Sequence, residues 1–241
     1  MRDILDVHTH TTASGHAYST LRENISAAKN AGLEIIGISD HAPKMPGSCH
    51  EFYFLNFKVI PRDAYGIKIV MGAELNIMDY SGSTDLSARA LKNLDYAIAS
   101  LHDPCIDIGT VEENTAAIIG AMKNPYIVII GHPDNPQYPV DFEKIASAAK
   151  ENHVLLEINN SSYLPSGHRA GSRDKAKIML QACKKYNAAI IMSSDAHIDF
   201  DVGNHKFSQE VLTENNFPAE LVVNTDAAKF FDYLNYRKNL R

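Results

Sequence analysis

Residues 34–41 read EIIGISDH, a short run of apolar and mostly β-branched side chains that ends in an acid and a histidine. Runs of this kind recur along the chain, and their composition is typical of strands that are buried on both faces. Seven strands are therefore predicted, at 4–7, 34–39, 68–73, 96–100, 126–130, 154–158 and 188–192.

Stretches with helical spacing separate most of these runs. They lie at 20–31, 85–93, 111–123, 141–152 and 173–186, and a further apolar run at 220–223 precedes a last predicted helix at 226–239. The less regular connection 41–62 is expected to form a lid-like loop with a short helix. Strands that alternate with helices predict an α/β fold with a parallel sheet, and this many units favours closure into a TIM-like barrel.

The composition fits one domain that spans residues 1–241. Hydrophobic residues make up 45% of the 241, which is enough for one sizeable core. The formal net charge is -6 and no long run of Lys or Arg occurs, so a small substrate is expected rather than nucleic acid or an anionic membrane.

Because no signal pattern or stretch of about 20 apolar residues occurs, a cytoplasmic location is expected. The cysteines Cys49, Cys105 and Cys183 show no close pairing and are expected to be reduced thiols.

Six of the seven predicted strands are followed by a residue that can bind a metal ion. These residues are His8 with His10, Asp40 with His41, Glu74, His102, His132, and Asp195 with His197, whereas the strand at 154–158 is followed by Asn159 and Asn160. The carboxyl ends of parallel barrel strands meet on one face, where barrel enzymes carry their active sites. Burying so many imidazoles without partners would cost about 1–3 kcal/mol each, and metal coordination removes that cost. The pattern therefore predicts a metal cluster.

The spacing of the first histidines supports this prediction only weakly by itself. Alternate residues of a strand point the same way, so His8 and His10 could share one ion. His16 follows in a loop where Gly15 could permit a turn back toward the site. On spacing alone, an exposed loop histidine remains the alternative for His16.

Taken together, the strand-end motifs resemble the PHP (polymerase and histidinol phosphatase) superfamily, and most closely its small stand-alone phosphatases, the YcdX-like proteins. The resemblance covers essentially the whole chain. It rests on His8-Thr9-His10-Thr11 with Ser14 and His16, Ser39-Asp40-His41-Ala42, Gly72-Ala73-Glu74, Gly131-His132-Pro133 and Ser194-Asp195-Ala196-His197.

The resemblance implies an irregular seven-stranded (βα)7 barrel with a trinuclear site at the carboxyl ends of its strands, filled by zinc, manganese or iron. Nine ligands are implied: His8, His10, His16, His41, Glu74, His102, His132, Asp195 and His197. By the same likeness, the first ion is held by His8, His10, Glu74 and Asp195, the second by Glu74, His102 and His132, and the third by His16, His41 and His197. The other histidines, His50, His153, His168 and His205, match no ligand position.

The implied activity is that of a metal-dependent phosphoesterase that hydrolyses phosphate monoesters by attack of a metal-bound hydroxide. Three divalent ions would outweigh the charges of Glu74 and Asp195, and such an electropositive pocket suits a phosphate dianion. No side-chain nucleophile is expected. Asp40 is expected either to orient an adjacent imidazole as a second-layer residue or to cap the following turn.

Two further features are candidates for substrate contacts. Arg169 and Arg173 lie in the loop 161–174, after the sixth predicted strand, where an arginine could clamp phosphate. Solvent-exposed positions for both arginines are the alternative. The aromatic residues 52–54 could cover the substrate, although such clusters more often pack internally.

Three other functions are the alternatives to a monoesterase. An amidohydrolase-like barrel usually has a bridging lysine carbamate, and no lysine follows a predicted strand here. A non-catalytic or regulatory metal domain is disfavoured because the nine-residue set is intact. A phosphodiesterase that trims nucleic-acid 3′ ends would need a basic groove, which the composition does not indicate. A homo-oligomer is compatible with the sequence.

Overall fold

The computed structural model describes residues 2–165, 167 and 169–241. Nine strands in this part of the chain form two sheets. The first sheet contains β1 (Leu5–Asp6), β2 (Ile35–Ile38), β3 (Asp63–Ala64) and β4 (Ile67–Met71), in the spatial order β1-β2-β4-β3. The second contains β5 (Glu74–Asn76), β6 (Ala97–Ser100), β7 (Ile127–Ile130), β8 (Leu155–Asn159) and β9 (Ile190–Ser193), in chain order. The pairings are parallel except for the one between β3 and β4.

Helices follow most of the strands and cover the outer faces of the sheets. They are α1 (Leu21–Asn30), α2 (Phe52–Leu55), α3 (Ala88–Leu91), α4 (Val111–Met122), α5 (Phe142–Asn152), α6 (Ser172–Tyr186), α7 (Lys206–Glu214) and α8 (Ala227–Lys238). The first turns of α1 and α4 are closed by reciprocal capping, in which Thr20 pairs with Glu23 and Thr110 with Glu113. Within the described residues, none of the helices combines the length and apolarity that crossing a membrane requires.

The expected parallel α/β architecture is confirmed, but a continuous seven-stranded barrel is not. The two sheets are joined by isolated bridges, Thr9 to Ala196 and His41 to Glu74, rather than by continuous ladders. The predicted strand at 68–73 leaves the first sheet after Met71, and the chain enters the second sheet at Glu74.

The bend between β4 and β5 packs closely against the ring of Tyr96. A Cβ atom on Gly72 would lie 2.6 Å from this ring, which is closer than packed carbon atoms approach. The Tyr96 hydroxyl donates a hydrogen bond to the carbonyl of Val7, so the ring ties the bend to the end of β1. Only glycine leaves room for this arrangement.

Two clusters of buried side chains make up the core. The larger cluster lies between the sheets and the outer helices. The smaller cluster contains Leu5, Ile35 and Leu155, which lie at the starts of their strands, together with Phe230 and Leu234 of α8. Helix α8 therefore covers the amino ends of the strands and leaves the carboxyl ends free to form a site.

Two predicted elements differ from the structure. The helix at 85–93 is only the single turn α3, because the Asp85 carboxylate accepts the backbone N–H groups of Lys44 and Asn76, each at 2.9 Å, and holds the chain in a loop. The apolar run at 220–223 forms two 3₁₀ turns, and Val222 makes a single bridge to Ile190 of β9. The loop 41–62 contains the short helix that was expected, α2.

Candidate metal centre

Glu74 lies at the middle of the histidines that follow the strands. Glu74 is the first residue of β5, and its side chain is 1% exposed. Five imidazole nitrogens lie within 3.6 Å of its two oxygens: His8 Nε2 (3.4 Å), His10 Nε2 (3.6 Å) and His41 Nδ1 (2.8 Å) near Oε2, and His102 Nε2 (3.2 Å) and His132 Nε2 (3.0 Å) near Oε1. The Ser100 hydroxyl donates to Oε1 at 2.7 Å.

Asp195 forms a second carboxylate centre beside Glu74. Its Oδ1 lies 3.2 Å from His10 Nε2, 3.5 Å from His8 Nε2 and 3.6 Å from His197 Nδ1. The Nε2 atoms of His197 and His16 are 3.1 Å apart, so the loop histidine does turn toward the site. The structure thus brings the nine expected ligands together at one end of the strands.

The backbone is strained at two of these positions. His132 and Asp195 have φ angles of 31° and 56°, in the left-handed region that side chains other than glycine rarely adopt. Such strain persists where surrounding structure enforces it, and it is concentrated at functional sites. Both residues lie directly beyond strands, where this conformation turns the side chain toward the common pocket.

The donor set fits divalent cations because several of its buried atoms lack any other partner. His8 Nε2, His10 Nε2, His41 Nδ1 and Glu74 Oε2 are buried and make no hydrogen bond within the described residues. Leaving such an atom unsatisfied costs about 1–3 kcal/mol. Imidazole nitrogens and carboxylate oxygens are the usual ligands of zinc. Three groups drawn from these side chains have ligand atoms within 4.8 Å of one another: His8, His10 and Glu74; His41, Glu74 and His102; and His10, His41 and His197.

The other ring nitrogen of several ligands is held by an acceptor. The pairs are His8 Nδ1 with Glu157 Oε1 (2.6 Å), His10 Nδ1 with Ser14 Oγ (3.0 Å), His102 Nδ1 with Asn76 Oδ1 (2.8 Å) and His197 Nδ1 with the Asp195 carbonyl (2.9 Å). An acceptor on Nδ1 fixes the proton there and leaves the Nε2 lone pair free for a metal.

Asp40 supports the site through Ser14. Its carboxylate accepts the Ser14 hydroxyl at 2.7 Å, so Ser14 Oγ is left to accept from His10 and from the backbone N–H of His41. The Tyr53 hydroxyl also donates to Asp40, at 2.6 Å. Of the aromatic residues 52–54, Tyr53 therefore reaches the support of the site, whereas Phe54 is buried in the core and Phe52 is exposed.

The two central carboxylates are ionised at neutral pH. Burial opposes their charge, but neighbouring imidazoles hold the pKa of each well below its usual range. His8 and His102 have the larger effects on Glu74, and His8 and His10 on Asp195. Both carboxylates are therefore anionic and ready to bind a cation.

Burial and neighbouring charges shift the pKa values of three ligand imidazoles, two downward and one upward. Burial lowers the pKa of His10 well below its usual value, as do the neighbouring His41 and His197. Burial and the charge of Arg169 lower the pKa of His132 to about 4. For His8, burial is outweighed by the carboxylates of Glu157, Glu74 and Asp195, which raise its pKa.

The two candidate arginines lie in different surroundings. Arg169 Nη1 donates to Asp195 Oδ2 at 3.3 Å and to Ser162 Oγ at 3.2 Å, beside the ligands. Arg173 instead pairs with Glu210 (3.1 Å) and Glu214 (3.3 Å) on the surface between α6 and α7, and it does not line the pocket.

The histidines that match no ligand position have other partners where they are described. His50 accepts the backbone N–H of Phe52, His153 stacks on Tyr233, and His205 lies between Asp3 and Asp6. His168 lies outside the described residues.

Sequence reasoning missed three side chains that orient ligands: Glu157, Asn76 and Asn159. Glu157 lies inside the predicted apolar strand 154–158, where a lone acid in a buried strand is itself a signal of function. The Asn159 amide donates to Glu157 at 3.0 Å and to Asp195 at 3.2 Å. Nothing in the sequence near Asn76 indicates its contact with His102.

The ligands open into a pocket of ≈ 350 Å³. Besides the ligand side chains, it is lined by Met45, Asp103, Pro104, Ser161 and Arg169. Of the described lining residues, Arg169 is the one Lys or Arg.

Comparison with known proteins identifies relatives over the full length. A model of the PHP domain matches residues 6–161. A probable phosphatase of Clostridium novyi (strain NT) is 48% identical over 241 residues, which are 100% of this chain and 98% of that protein. A probable phosphatase of Thermoanaerobacter sp. (strain X514) is 47% identical over 239 residues, which are 99% of this chain and 97% of that protein.

Two solved structures share the fold at low sequence identity. One is the histidinol phosphate phosphatase of Lactococcus lactis subsp. lactis Il1403 complexed with zinc, L-histidinol and phosphate, with a TM-score of 0.60, 18% identity, and coverage of 90% of this chain and 95% of that chain. The other is an archaeal ribonuclease P with mature tRNA, with a TM-score of 0.60, 15% identity, and coverage of 98% and 92%. The family model and the full-length relatives confirm the resemblance seen in the strand-end motifs, and the chain belongs to the PHP domain family.

Proposed function

We propose that this protein is a metal-dependent phosphatase that hydrolyses small phosphate monoesters at a centre of up to three divalent cations, with zinc as the first candidate. The nine ligands named above would hold the cations. Because these ligands extend from His8 to His197, residues 1–241 would act as one catalytic domain.

The observation that carries the proposal is the set of buried, unpartnered ligand atoms around Glu74. His8 Nε2, His10 Nε2, His41 Nδ1 and Glu74 Oε2 lie together without hydrogen bonds within the described residues. A hydrogen-bonded protein core would satisfy such atoms, whereas a metal centre needs their lone pairs free. The full-length relatives named probable phosphatases, and the zinc and phosphate bound by the Lactococcus lactis enzyme, support the same function.

The chain's own residues would bind and orient the substrate. The Arg169 guanidinium lies on the pocket wall beside Asp195 and can donate further hydrogen bonds to a phosphoryl group. Bound divalent cations would supply Lewis acidity, which polarises the phosphoryl group and lowers the pKa of water. Asp40 and Glu157 would keep the imidazoles of His10 and His8 in the orientation that ligation needs. Water would attack phosphorus directly, without a covalent enzyme intermediate.

The pocket favours a monoester over a nucleic-acid strand. A bound strand needs a basic groove that follows several phosphates. Here the described pocket wall carries one arginine, and Asp103 on the same wall would repel additional phosphates.

A side-by-side assay with three substrates tests the proposal. The purified protein would be given p-nitrophenyl phosphate, bis-p-nitrophenyl phosphate and a dipeptide, before and after chelation and after readdition of zinc, manganese or iron. We expect turnover of the monoester that chelation abolishes and metal restores. Preference for the diester would favour a phosphodiesterase, cleavage of the dipeptide an amidohydrolase, and bound metal without any turnover a regulatory metal domain.

A further inference from the structure

We infer that Glu157 is a positioning residue for two of the proposed ions, because its single buried carboxylate holds ligands of both and contacts no ligand of the third. The inference rests on the proposed metal centre and deepens it. It concerns how tightly particular ions are held.

One oxygen of Glu157 acts on a ligand imidazole. Glu157 lies within β8 and is 0% exposed. Its Oε1 accepts the Nδ1–H of His8 at 2.6 Å, and His8 is the imidazole whose Nε2 lies near both Glu74 and Asp195. A carboxylate on the far nitrogen fixes the ring orientation and makes the ligating nitrogen more basic.

The other oxygen acts on the backbone of a second ligand. Oε2 accepts the N–H of His132 at 2.8 Å and the side-chain amide of Asn159 at 3.0 Å. His132 has a positive φ, so this hydrogen bond helps to hold a strained residue in place. The Asn159 amide also donates to Asp195 at 3.2 Å, which connects Glu157 indirectly to a third ligand.

The contacts of Glu157 are selective. His8 and Asp195 belong to the first proposed ion and His132 to the second. The ligands of the third, His16, His41 and His197, make no contact with Glu157 in the described part of the chain. His41 is supported through Ser14, and His197 by the Asp195 carbonyl.

A carboxylate suits this position better than an amide would. Three N–H donors converge on Glu157, and an ionised carboxylate accepts hydrogen bonds only. A glutamine would place an NH₂ group against one of these donors. Burying the charge is costly, and the hydrogen bonds together with nearby cations offset that cost.

The test compares Glu157→Gln with Glu151→Gln. Glu151 lies on the exposed face of α5, where it accepts a hydrogen bond only from Ser147 within the described residues. Zinc-loaded wild type and both variants would be dialysed against graded concentrations of a chelator, and the retained zinc counted by elemental analysis. We expect Glu157→Gln to lose two ions at a chelator concentration roughly 10- to 100-fold lower than wild type requires. The third ion should be released at the same chelator concentration as in wild type. Glu151→Gln should follow the wild-type curve.

Two results would overturn the inference: a Glu157→Gln release curve identical to wild type, and an equal shift for all ions, which indicates general loosening of the fold. Neither result would affect the proposed function as long as the wild type binds zinc and hydrolyses the monoester. Failure of the wild type to bind metal, by contrast, would remove the proposed function itself.

A measurement on the zinc-loaded wild type does not depend on how the variant folds. With ¹⁵N-labelled histidine, the His8 Nδ1–H should give the imidazole proton signal furthest downfield, with slow exchange, because it is buried against a carboxylate. Absence of any such signal would show that the His8–Glu157 hydrogen bond is not formed.

Discussion

At the scale of single residues, Glu74 is the side chain on which the centre depends most. Both of its oxygens face imidazole nitrogens, and it is implied to bridge two ions. We expect Glu74→Gln to reduce monoester turnover by about a hundredfold or more and to lower the metal content by more than one ion, since losing a ligand costs more than losing a supporting contact. Turnover and elemental analysis measure this, with Glu151→Gln as the control. Full activity in Glu74→Gln would rule out the bridging role.

The two arginines provide a second test at this scale. Arg169 lines the pocket, whereas Arg173 is occupied by Glu210 and Glu214. A charge-assisted hydrogen bond contributes about 1.5–3 kcal/mol, so Arg169→Met should lower kcat/KM for a phosphate monoester by roughly 10- to 100-fold. Arg173→Met should leave kcat/KM unchanged. Equal effects of the two substitutions would show that Arg169 has no special contact with the substrate.

The residues that carry chemistry were visible in the sequence to different degrees. Eight of the nine ligands follow short apolar runs, so their convergence could be expected from the parallel topology, whereas the loop position of His16 left its direction open. The positions of apolar runs do not reveal the roles of Glu157 and Asn76, because these roles depend on contacts between strands. Glu157 forms a hydrogen bond with His8, which is 149 positions away in the chain. Arg169 lies in a loop and Arg173 at the start of a predicted helix, but the sequence does not show that Arg169 lines the pocket while Arg173 pairs with Glu210 and Glu214.

At the scale of elements, the predicted strands agree with the structure where a run is apolar throughout, as in β2 and β7. The break between β4 and β5 was not predicted. At this break Gly72 packs against the ring of Tyr96, a contact between positions 24 residues apart that local propensity does not reveal. The barrel was expected to be continuous. Its hydrogen-bonded ladder is interrupted at this break and between β1 and β9, where Thr9 and Ala196 form only an isolated bridge.

A buried ion-pair cluster joins β1 to the segment before α7. His205 lies between Asp3 and Asp6, and Asp6 also accepts the N–H groups of Ser194 and Gly203. Burial opposes a charge on His205, but the two carboxylates raise its pKa to about 9. Because this exceeds the ordinary value of 6.5, the stabilisation is fully present below pH 6.5 and is lost as the pH rises through about 9.

We therefore expect His205→Gln to lower the free energy of unfolding by about 3 kcal/mol at pH 6, since one partner of a buried pair is removed. The loss should be smaller at pH 10, where the wild-type imidazole is already neutral. Urea denaturation at both pH values measures this difference. A loss that is the same at pH 6 and pH 10 would mean that His205 acts through packing rather than charge.

At the scale of the whole molecule, the proposed ligands come from positions between His8 and His197, so the centre forms only in the folded chain. The family and the hydrolase class expected from these ligands are confirmed by the relatives. A ligand that binds only the folded state stabilises it by about 4 kcal/mol at a thousandfold excess over its Kd. Chelation should accordingly lower the midpoint of thermal unfolding, and zinc should restore it. An unchanged midpoint would indicate that no cation links the strands.

Acid should affect the whole centre through His8. The pKa of His8 is raised by three carboxylates despite burial, whereas those of His10 and His132 are lowered, so protons compete with cations first at His8. We expect turnover and bound metal to fall together as the pH is lowered from 7 to 5. A flat profile with metal retained down to pH 5 would speak against histidine ligation.

The most direct test of the central claim is an anomalous-difference map from crystals of the metal-loaded protein, recorded at the zinc, manganese and iron absorption edges. We expect peaks about 2.0–2.3 Å from His8 Nε2, His10 Nε2 and Glu74 Oε2, three of the ligand atoms that make no hydrogen bond within the described residues. A map without any peak among these atoms at any of the three edges would contradict the account.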